Sequence, residues 1–128
     1  MKEREVACVV FYDKQNRLLI QDRRKISKQG EQYGWFGGGM EQGETPEQTL
    51  TRELNEELGQ NITNFKFLIK YDVQYPTLLA RCNLFIAPAP KYFDVKEGKA
   101  VLVTMEEAQK MMMNNEELAF AKIGEYLK

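Results

Sequence analysis

The stretch GGMEQGETPEQTLTRELNEELGQ, Gly38–Gln60, carries clear start and stop signals for one helix. Thr45 suits the N-cap, a proline follows at the first helical position, and Gln48 completes a capping box three residues on. Gly59 suits the position just past the last turn. We therefore expect a helix over Pro46–Leu58, preceded by a glycine-rich loop.

The predicted helix has an apolar stripe with acidic residues beside it. At about 100° per residue, one face carries the apolar residues Leu50, Leu54 and Leu58. A neighbouring arc of about 100° carries the acidic residues Glu53, Glu56 and Glu57. Like charges at these spacings repel, and Arg52 offsets this by pairing with Glu56. The arc is therefore either a solvated helix face or a set of ligands for a cation, which would remove the repulsion.

The chain contains no histidine, and this restricts its chemistry. Ser-His-Asp triads, Cys-His dyads and HExxH zinc sites are all excluded. A general base would have to be a carboxylate, a lysine, a tyrosine or a metal-bound water. A metal site would be built mostly from oxygen, which favours Mg²⁺, Mn²⁺ or Ca²⁺ over zinc.

Composition predicts one ordinary domain over residues 1–128, because 43% of its residues are hydrophobic and 29% are charged. The net charge of −1 argues against binding a nucleic-acid polymer, which needs a positive surface. No apolar run approaches the roughly 20 residues of a membrane span, and we read no signal peptide. Cys8 and Cys82 lie far apart and outside any CxxC motif, so we expect free thiols and a cytoplasmic location.

Short runs rich in β-branched and aromatic residues predict five strands, and the first two suggest a hairpin. These strands cover Glu5–Tyr12, Arg17–Arg24, Phe65–Tyr75, Leu78–Ala87 and Ala100–Val103. Polar or glycine-containing segments, residues 25–34 and Pro88–Lys99, predict loops.

Two further helices are expected near the end of the chain. Thr104 and Glu107 form a second capping box, which opens a helix that ends at about Met113. Asn115 can cap a last helix over Glu116–Leu127. Strands, one helix, more strands and then helices make an α/β fold, with a mixed sheet covered by helices on its faces.

Residues 38–60 resemble the signature of the Nudix hydrolases, which reads G, five residues, E, seven residues, R-E-U-x-E-E-x-G-U, where U is a bulky aliphatic residue. The matching positions are Gly38, Glu44, Arg52, Glu53, Leu54, Glu56, Glu57 and Gly59. Two positions depart from the pattern. Gln60 replaces the closing aliphatic residue, whose packing Ile62 can supply, and Phe36 stands where many relatives have proline.

The resemblance implies an α/β/α sandwich around a mixed sheet, and the MutT type of the family is the nearest. It implies hydrolysis of a nucleoside diphosphate linked to another group, with Mg²⁺ or Mn²⁺ as the cofactor. The implied metal ligands are Glu53, Glu56, Glu57, Glu97 and the carbonyl of Gly37 or Gly38. The resemblance further implies that Arg52 and Glu44 pair and hold the loop against the helix.

A carboxylate would then take the proton from the attacking water. Glu53 is the preferred base, although some members of the family place the base on another loop. For the substrate, Arg23 rather than Arg24 is expected to grip phosphates. A base-stacking slot is expected among Trp35, Phe36, Tyr71, Tyr75 and Leu78, and Asn115 is expected to read a base edge, since its amide both donates and accepts.

The preferred substrate is a (deoxy)nucleoside triphosphate, a small molecule bound by a monomer or homodimer. Within the same enzyme class, ADP-ribose, nucleotide sugars and dinucleoside polyphosphates are the alternatives. A sensor module that binds nucleotide without cleaving it is the alternative of another class. Such modules usually lose glutamates of the signature, and this chain keeps them.

Overall fold

The computed structural model describes residues 2–92, 99–112 and 116–128, and the expected α/β fold with a mixed sheet is confirmed. The strands are β1 Lys2–Tyr12, β2 Leu18–Asp22, β3 Tyr33–Gly34, β4 Phe36–Gly39, β5 Lys66–Gln74, β6 Leu78–Pro88 and β7 Lys99–Val103. The helices are α1 Pro46–Leu58, α2 Met105–Met111 and α3 Glu117–Tyr126. Within the described residues, no helix has the length and apolar character needed to cross a membrane.

Strand β1 is the centre of the sheet. It runs parallel to β6 along its whole length, from the pair Lys2–Leu78 to the pair Tyr12–Pro88. It also pairs antiparallel with β2 and with β4, and the first of these pairings is the expected hairpin. The remaining strands extend the sheet, β5 along β6 and both β3 and β7 along β2.

Side chains of β1 alternate between two hydrophobic cores, as the two-residue period of a strand requires. Ala7, Val9 and Phe11 are fully buried on the face that packs against α1. Val10 belongs to the core of the other face, which the apolar residues of α2 and α3 complete. The arrangement is the α/β/α sandwich that the resemblance implied.

Helix α1 follows the sequence signals closely. The capping box of Thr45 and Gln48 is present, and Gly59 ends the helix in the left-handed conformation at φ 70°. Three leucines of α1 are buried against the sheet, and Ile62 joins the same core. Ile62 therefore supplies the packing that the polar side chain of Gln60 cannot.

The glycine-rich segment differs from the expected loop, because part of it is strand β4. Phe36–Gly39 pairs with Val6–Val9 of β1, and β3 lies within the segment expected to be a polar loop. Gly37 has φ 136°, a conformation that side chains rarely allow, and a Cβ there would collide with the carbonyl oxygen of Ala7. Glycine is therefore needed at this position for the strand to approach β1.

The remaining differences are at the ends of elements. The capping box of Thr104 and Glu107 is present, but α2 ends at Met111, two residues before the expected end. The predicted capping residue Asn115 lies outside the described residues, and α3 begins at Glu117. Cys8 and Cys82 are free thiols, as expected.

Two glycine substitutions test the crowding at β4. Gly37→Ala should destabilise the fold by more than Gly43→Ala, although both glycines have positive φ. A Cβ at Gly43 meets nothing within 4 Å, so only backbone strain of about 1 kcal/mol is expected there. Urea unfolding measures both changes, and equal losses would contradict the steric argument.

Candidate active site

Helix α1 packs its acidic arc against the glycines of β4. Glu57 is fully buried, and its Oε1 accepts a hydrogen bond of 3.0 Å from the backbone N–H of Gly37. Its Oε2 accepts a hydrogen bond of 3.3 Å from the side-chain amide of Gln21. A buried carboxylate needs such donors to offset its lost hydration. These two bonds fix Glu57 at the seam between α1 and the sheet.

Glu53 occupies the space left by the missing side chain of Gly38. A Cβ at Gly38 would lie 2.5 Å from the carboxyl carbon of Glu53. Oε1 of Glu53 accepts a hydrogen bond of 2.9 Å from Nη1 of Arg52. Glu53 and Glu57 therefore meet adjacent residues of β4, one turn of α1 apart.

Arg52 joins the loop after β4 to helix α1, and the pair implied by the resemblance is present. Its Nε and Nη2 donate to the two carboxylate oxygens of Glu44, at 2.8 and 2.9 Å. Nη2 also donates to the carbonyl oxygen of Gly39 at 3.1 Å. The pKa of Glu44 is lowered to about 2, and its hydrogen bonds to Arg52 are the largest cause. Glu44 therefore stays ionised and keeps the loop docked at any physiological pH.

The acidic arc fits a hard divalent cation by its chemistry. Glu53 and Glu57 lie at the β4 seam, and the third acid, Glu56, is exposed, with its nearest oxygen 3.7 Å from Arg52. Carboxylate and backbone carbonyl oxygens are the ligands that Mg²⁺ and Mn²⁺ prefer. Among the residues described, no three Asp, Glu or Cys side chains already converge as a ligand set. Glu53 is held by Arg52, so cation binding requires side-chain rearrangement.

A chain of hydrogen bonds leads from Glu57 toward the edge of the sheet. Gln21 is fully buried and donates to Glu57, while its Oε1 accepts from Nη1 of Arg23 at 2.6 Å. Arg23 also forms an ion pair of 3.1 Å with Glu31. Arg24, the less favoured phosphate ligand, instead pairs with Asp22.

A cavity of about 610 Å³ opens on the other face of the sheet, beside β4. Arg23, Trp35, Tyr75 and Leu78 line it, together with the glycines of β4. The expectation for Phe36 is corrected. Phe36 is fully buried and packs on the α1 side, because adjacent strand residues point to opposite faces.

The cavity wall includes a buried acid, Glu116, that is not among the predicted site residues. Oε1 of Glu116 accepts hydrogen bonds from the Tyr71 hydroxyl at 2.6 Å and from Nε1 of Trp35 at 3.1 Å. Burial raises the pKa of Glu116 to about 7, although these two hydrogen bonds oppose the change. Tyr71 stands behind Trp35 and does not itself line the cavity.

A helical pattern could have revealed Glu116. It shares the i, i+3, i+4, i+7 spacing with Ala119, Phe120 and Ile123, all of which are buried. Gln21 was missed because a polar residue in an apolar strand gives no indication of its partner. Glu97 and Asn115, the predicted metal ligand and base-reading residue, lie outside the described residues.

The family model for the NUDIX domain matches residues 1–125. The chain belongs to the Nudix family. Its sequence is 40% identical to the 8-oxo-dGTP diphosphatase of Proteus vulgaris over 85 residues, which are 66% of this chain and 76% of that protein. It is 32% identical to the 8-oxo-dGTP diphosphatase of Escherichia coli over 76 residues, which are 59% of each chain. The matched part thus spans about three quarters of the first relative and about three fifths of the second, and the expected MutT-like resemblance is confirmed.

The Nudix fold is also evident from a solved structure. The MutT protein of Methanosarcina mazei superposes with a TM-score of 0.84 and covers 99% of this chain, with 96% of its own length matched. At 12% identity, this likeness concerns the fold alone.

Glu116 makes stability depend on pH in a predictable direction. Its folded pKa is raised, so between about 4.5 and 7 the folded protein holds a proton that the unfolded chain has released. Its contribution to the free energy of unfolding therefore falls as pH rises through this window, by on the order of 3 kcal/mol. Glu116→Gln should be more stable than wild type at pH 8 and similar at pH 4.5.

Urea unfolding from pH 4.5 to 8 measures this difference. Glu117→Gln is the matched control, because Glu117 is exposed and has the same chemistry at the neighbouring position. A difference between Glu116→Gln and wild type that stays constant with pH would contradict the assignment.

Proposed function

We propose that this Nudix protein is a MutT-type pyrophosphohydrolase that cleaves a nucleoside triphosphate to a nucleoside monophosphate and pyrophosphate. One observation carries the proposal. The carboxylates of Glu53 and Glu57 meet the glycines of β4, and the same strand forms the wall of a cavity large enough for a nucleotide. The family and the relatives agree with the expected enzyme class, a hydrolase of pyrophosphate bonds.

Mg²⁺ or Mn²⁺ is the proposed cofactor, held by Glu53, Glu56 and Glu57, by the carbonyl of Gly37 or Gly38, and by Glu97 as a further predicted ligand. When bound, such a cation neutralises phosphate charge and makes a water more acidic.

The protein's own residues hold the reacting groups in place. Glu57 is fixed by two hydrogen bonds, and a hydrogen bond from Arg52 holds Glu53 beside Gly38. Glu53 is therefore proposed to take the proton from the attacking water. Arg23, on the cavity wall, is proposed to bind phosphate, since a guanidinium can donate two parallel hydrogen bonds to it.

The base is proposed to lie against Trp35 at the deep end of the cavity, with Tyr75 and Leu78 beside it. Asn115 stays the predicted reader of the base edge. The 8-oxo-dGTP diphosphatases among its relatives make oxidised dGTP the first substrate to test. A cytoplasmic location and a monomeric or dimeric state are part of the proposal.

A substrate panel with matched variants tests the function. Purified protein should hydrolyse a nucleoside triphosphate in Mg²⁺ or Mn²⁺, and Glu53→Gln should lower kcat by at least 100-fold because the base is lost. The panel includes oxidised dGTP, the four dNTPs, ADP-ribose, nucleotide sugars and dinucleoside polyphosphates. Phosphate release after addition of inorganic pyrophosphatase measures triphosphate turnover.

Glu47→Gln is the control, because Glu47 is an exposed acid of the same helix that takes no part in the seam. It should retain full activity. Absence of metal-dependent turnover on every substrate, or full activity of Glu53→Gln, would refute the proposal. Thermal unfolding of each variant establishes that lost activity is not lost folding.

A further inference from the structure

The side chain of Arg4, a residue of β1, lies against β4 and is not among the predicted site residues. Arg4, Val6 and Cys8 alternate along β1 and all line the cavity, on the face opposite α1. The guanidinium of Arg4 lies against Gly39, because a Cβ built on Gly39 would overlap its Nε, Nη2 and Cζ atoms. Arg4 thus crosses from the central strand to the end of β4.

The contact with Arg4 explains why residue 39 is glycine, whereas its backbone conformation does not require glycine. Gly37 and Gly43 have positive φ, whereas Gly39 does not. Its backbone therefore accepts any residue, and what glycine provides there is space for the Arg4 side chain. Gly39 also accepts a hydrogen bond from Arg52 through its carbonyl oxygen, so two arginines contact the same residue.

Arg4 differs from the other arginines of the site in its partners. Arg23 is paired with Glu31 and Gln21, and Arg52 is paired with Glu44. Within the part of the chain that the structure describes, the Arg4 guanidinium has no hydrogen bond and no ion pair, although its side chain has a fixed neighbour in Gly39. It is an available positive charge on the rim of a cavity.

Arg4 contacts β4 at Gly39, and this position indicates which part of a substrate Arg4 would bind. The strand advances about 3.3 Å per residue, so Gly39 lies at the far end of the cavity wall from Trp35. A nucleotide with its base at Trp35 and its phosphates beside Glu53 would direct its last phosphates toward Gly39.

We propose that Arg4 binds the pyrophosphate portion of the substrate, the β- and γ-phosphates that leave together. The proposal rests on the proposed function, since it places a nucleoside triphosphate across the seam. Arg4 is accordingly a substrate-binding residue that recognises a diphosphate group, and Gly39 is its positioning residue.

Inorganic pyrophosphate tests the proposal directly. Titration calorimetry in Mg²⁺ should show pyrophosphate binding weakened about tenfold in Arg4→Gln, because a charge-assisted hydrogen bond is lost. Arg4→Lys should restore part of the affinity. Gly39→Ala should weaken binding as Arg4→Gln does while keeping the charge, because the new methyl group displaces the guanidinium. Nucleoside monophosphate binding should change less than twofold in all three.

Arg81→Gln is the control, since Arg81 is exposed on the neighbouring strand β6 and pairs with Glu3 outside the cavity. It should bind pyrophosphate as wild type does. Unchanged pyrophosphate binding in Arg4→Gln, or equal weakening for pyrophosphate and nucleoside monophosphate, would overturn the proposal. Pyrophosphate binding that depends on Arg4 in a protein without turnover would support this site while refuting the proposed hydrolase.

Discussion

The hydrogen bond from the Gly37 N–H to the buried carboxylate of Glu57 is the contact on which the site depends. It joins α1 to β4 and requires the two backbones to lie close together. Gly37 allows the close approach on the sheet side, and burial of the α1 leucines stabilises the packing of the helix against the sheet. Burial of Glu57 is tolerated because Gln21 donates to its second oxygen. The sheet, the helix and the acid are thus mutually dependent.

Arg52 extends this contact to the loop after β4. It connects the loop after β4, through Glu44 and the carbonyl of Gly39, to Glu53 on the helix. The paired carboxylates and guanidinium neutralise one another locally, which stabilises the acidic arc before any cation binds. The cavity lies on the opposite face of β4, and the glycines that Glu53 and Glu57 contact form part of its wall. Strand β4, four residues long, therefore has the cavity on one face and the acids of α1 on the other.

Local signals were enough to predict α1, because its cap, proline, leucine spacing and terminal glycine all agree. They also predicted that Glu57 borders the buried stripe, and the structure buries it completely. Strand β4 was missed because its three consecutive glycines give no periodic pattern, and because its pairing with β1 is a long-range contact. Phe36 was placed in the cavity because a one-residue register cannot be read from a segment whose strand was not recognised.

Polar contacts between residues far apart in the sequence could not be predicted from local patterns either. The sheet brings three separate segments of the chain to the site, and these carry Arg4, Gln21 and Glu116. A charged residue near a strand end has no periodicity of its own, so the sequence does not indicate what Arg4 contacts. The space left by Gly39 becomes meaningful only when both strands are seen side by side.

Anomalous diffraction from crystals soaked with Mn²⁺ and a non-hydrolysable nucleoside triphosphate tests the central claim most directly. We expect a manganese peak bounded by the carboxylates of Glu53, Glu56 and Glu57 and by the glycines of β4, with the base at Trp35. A manganese peak away from α1, or a nucleotide bound outside the β4 cavity, would contradict it.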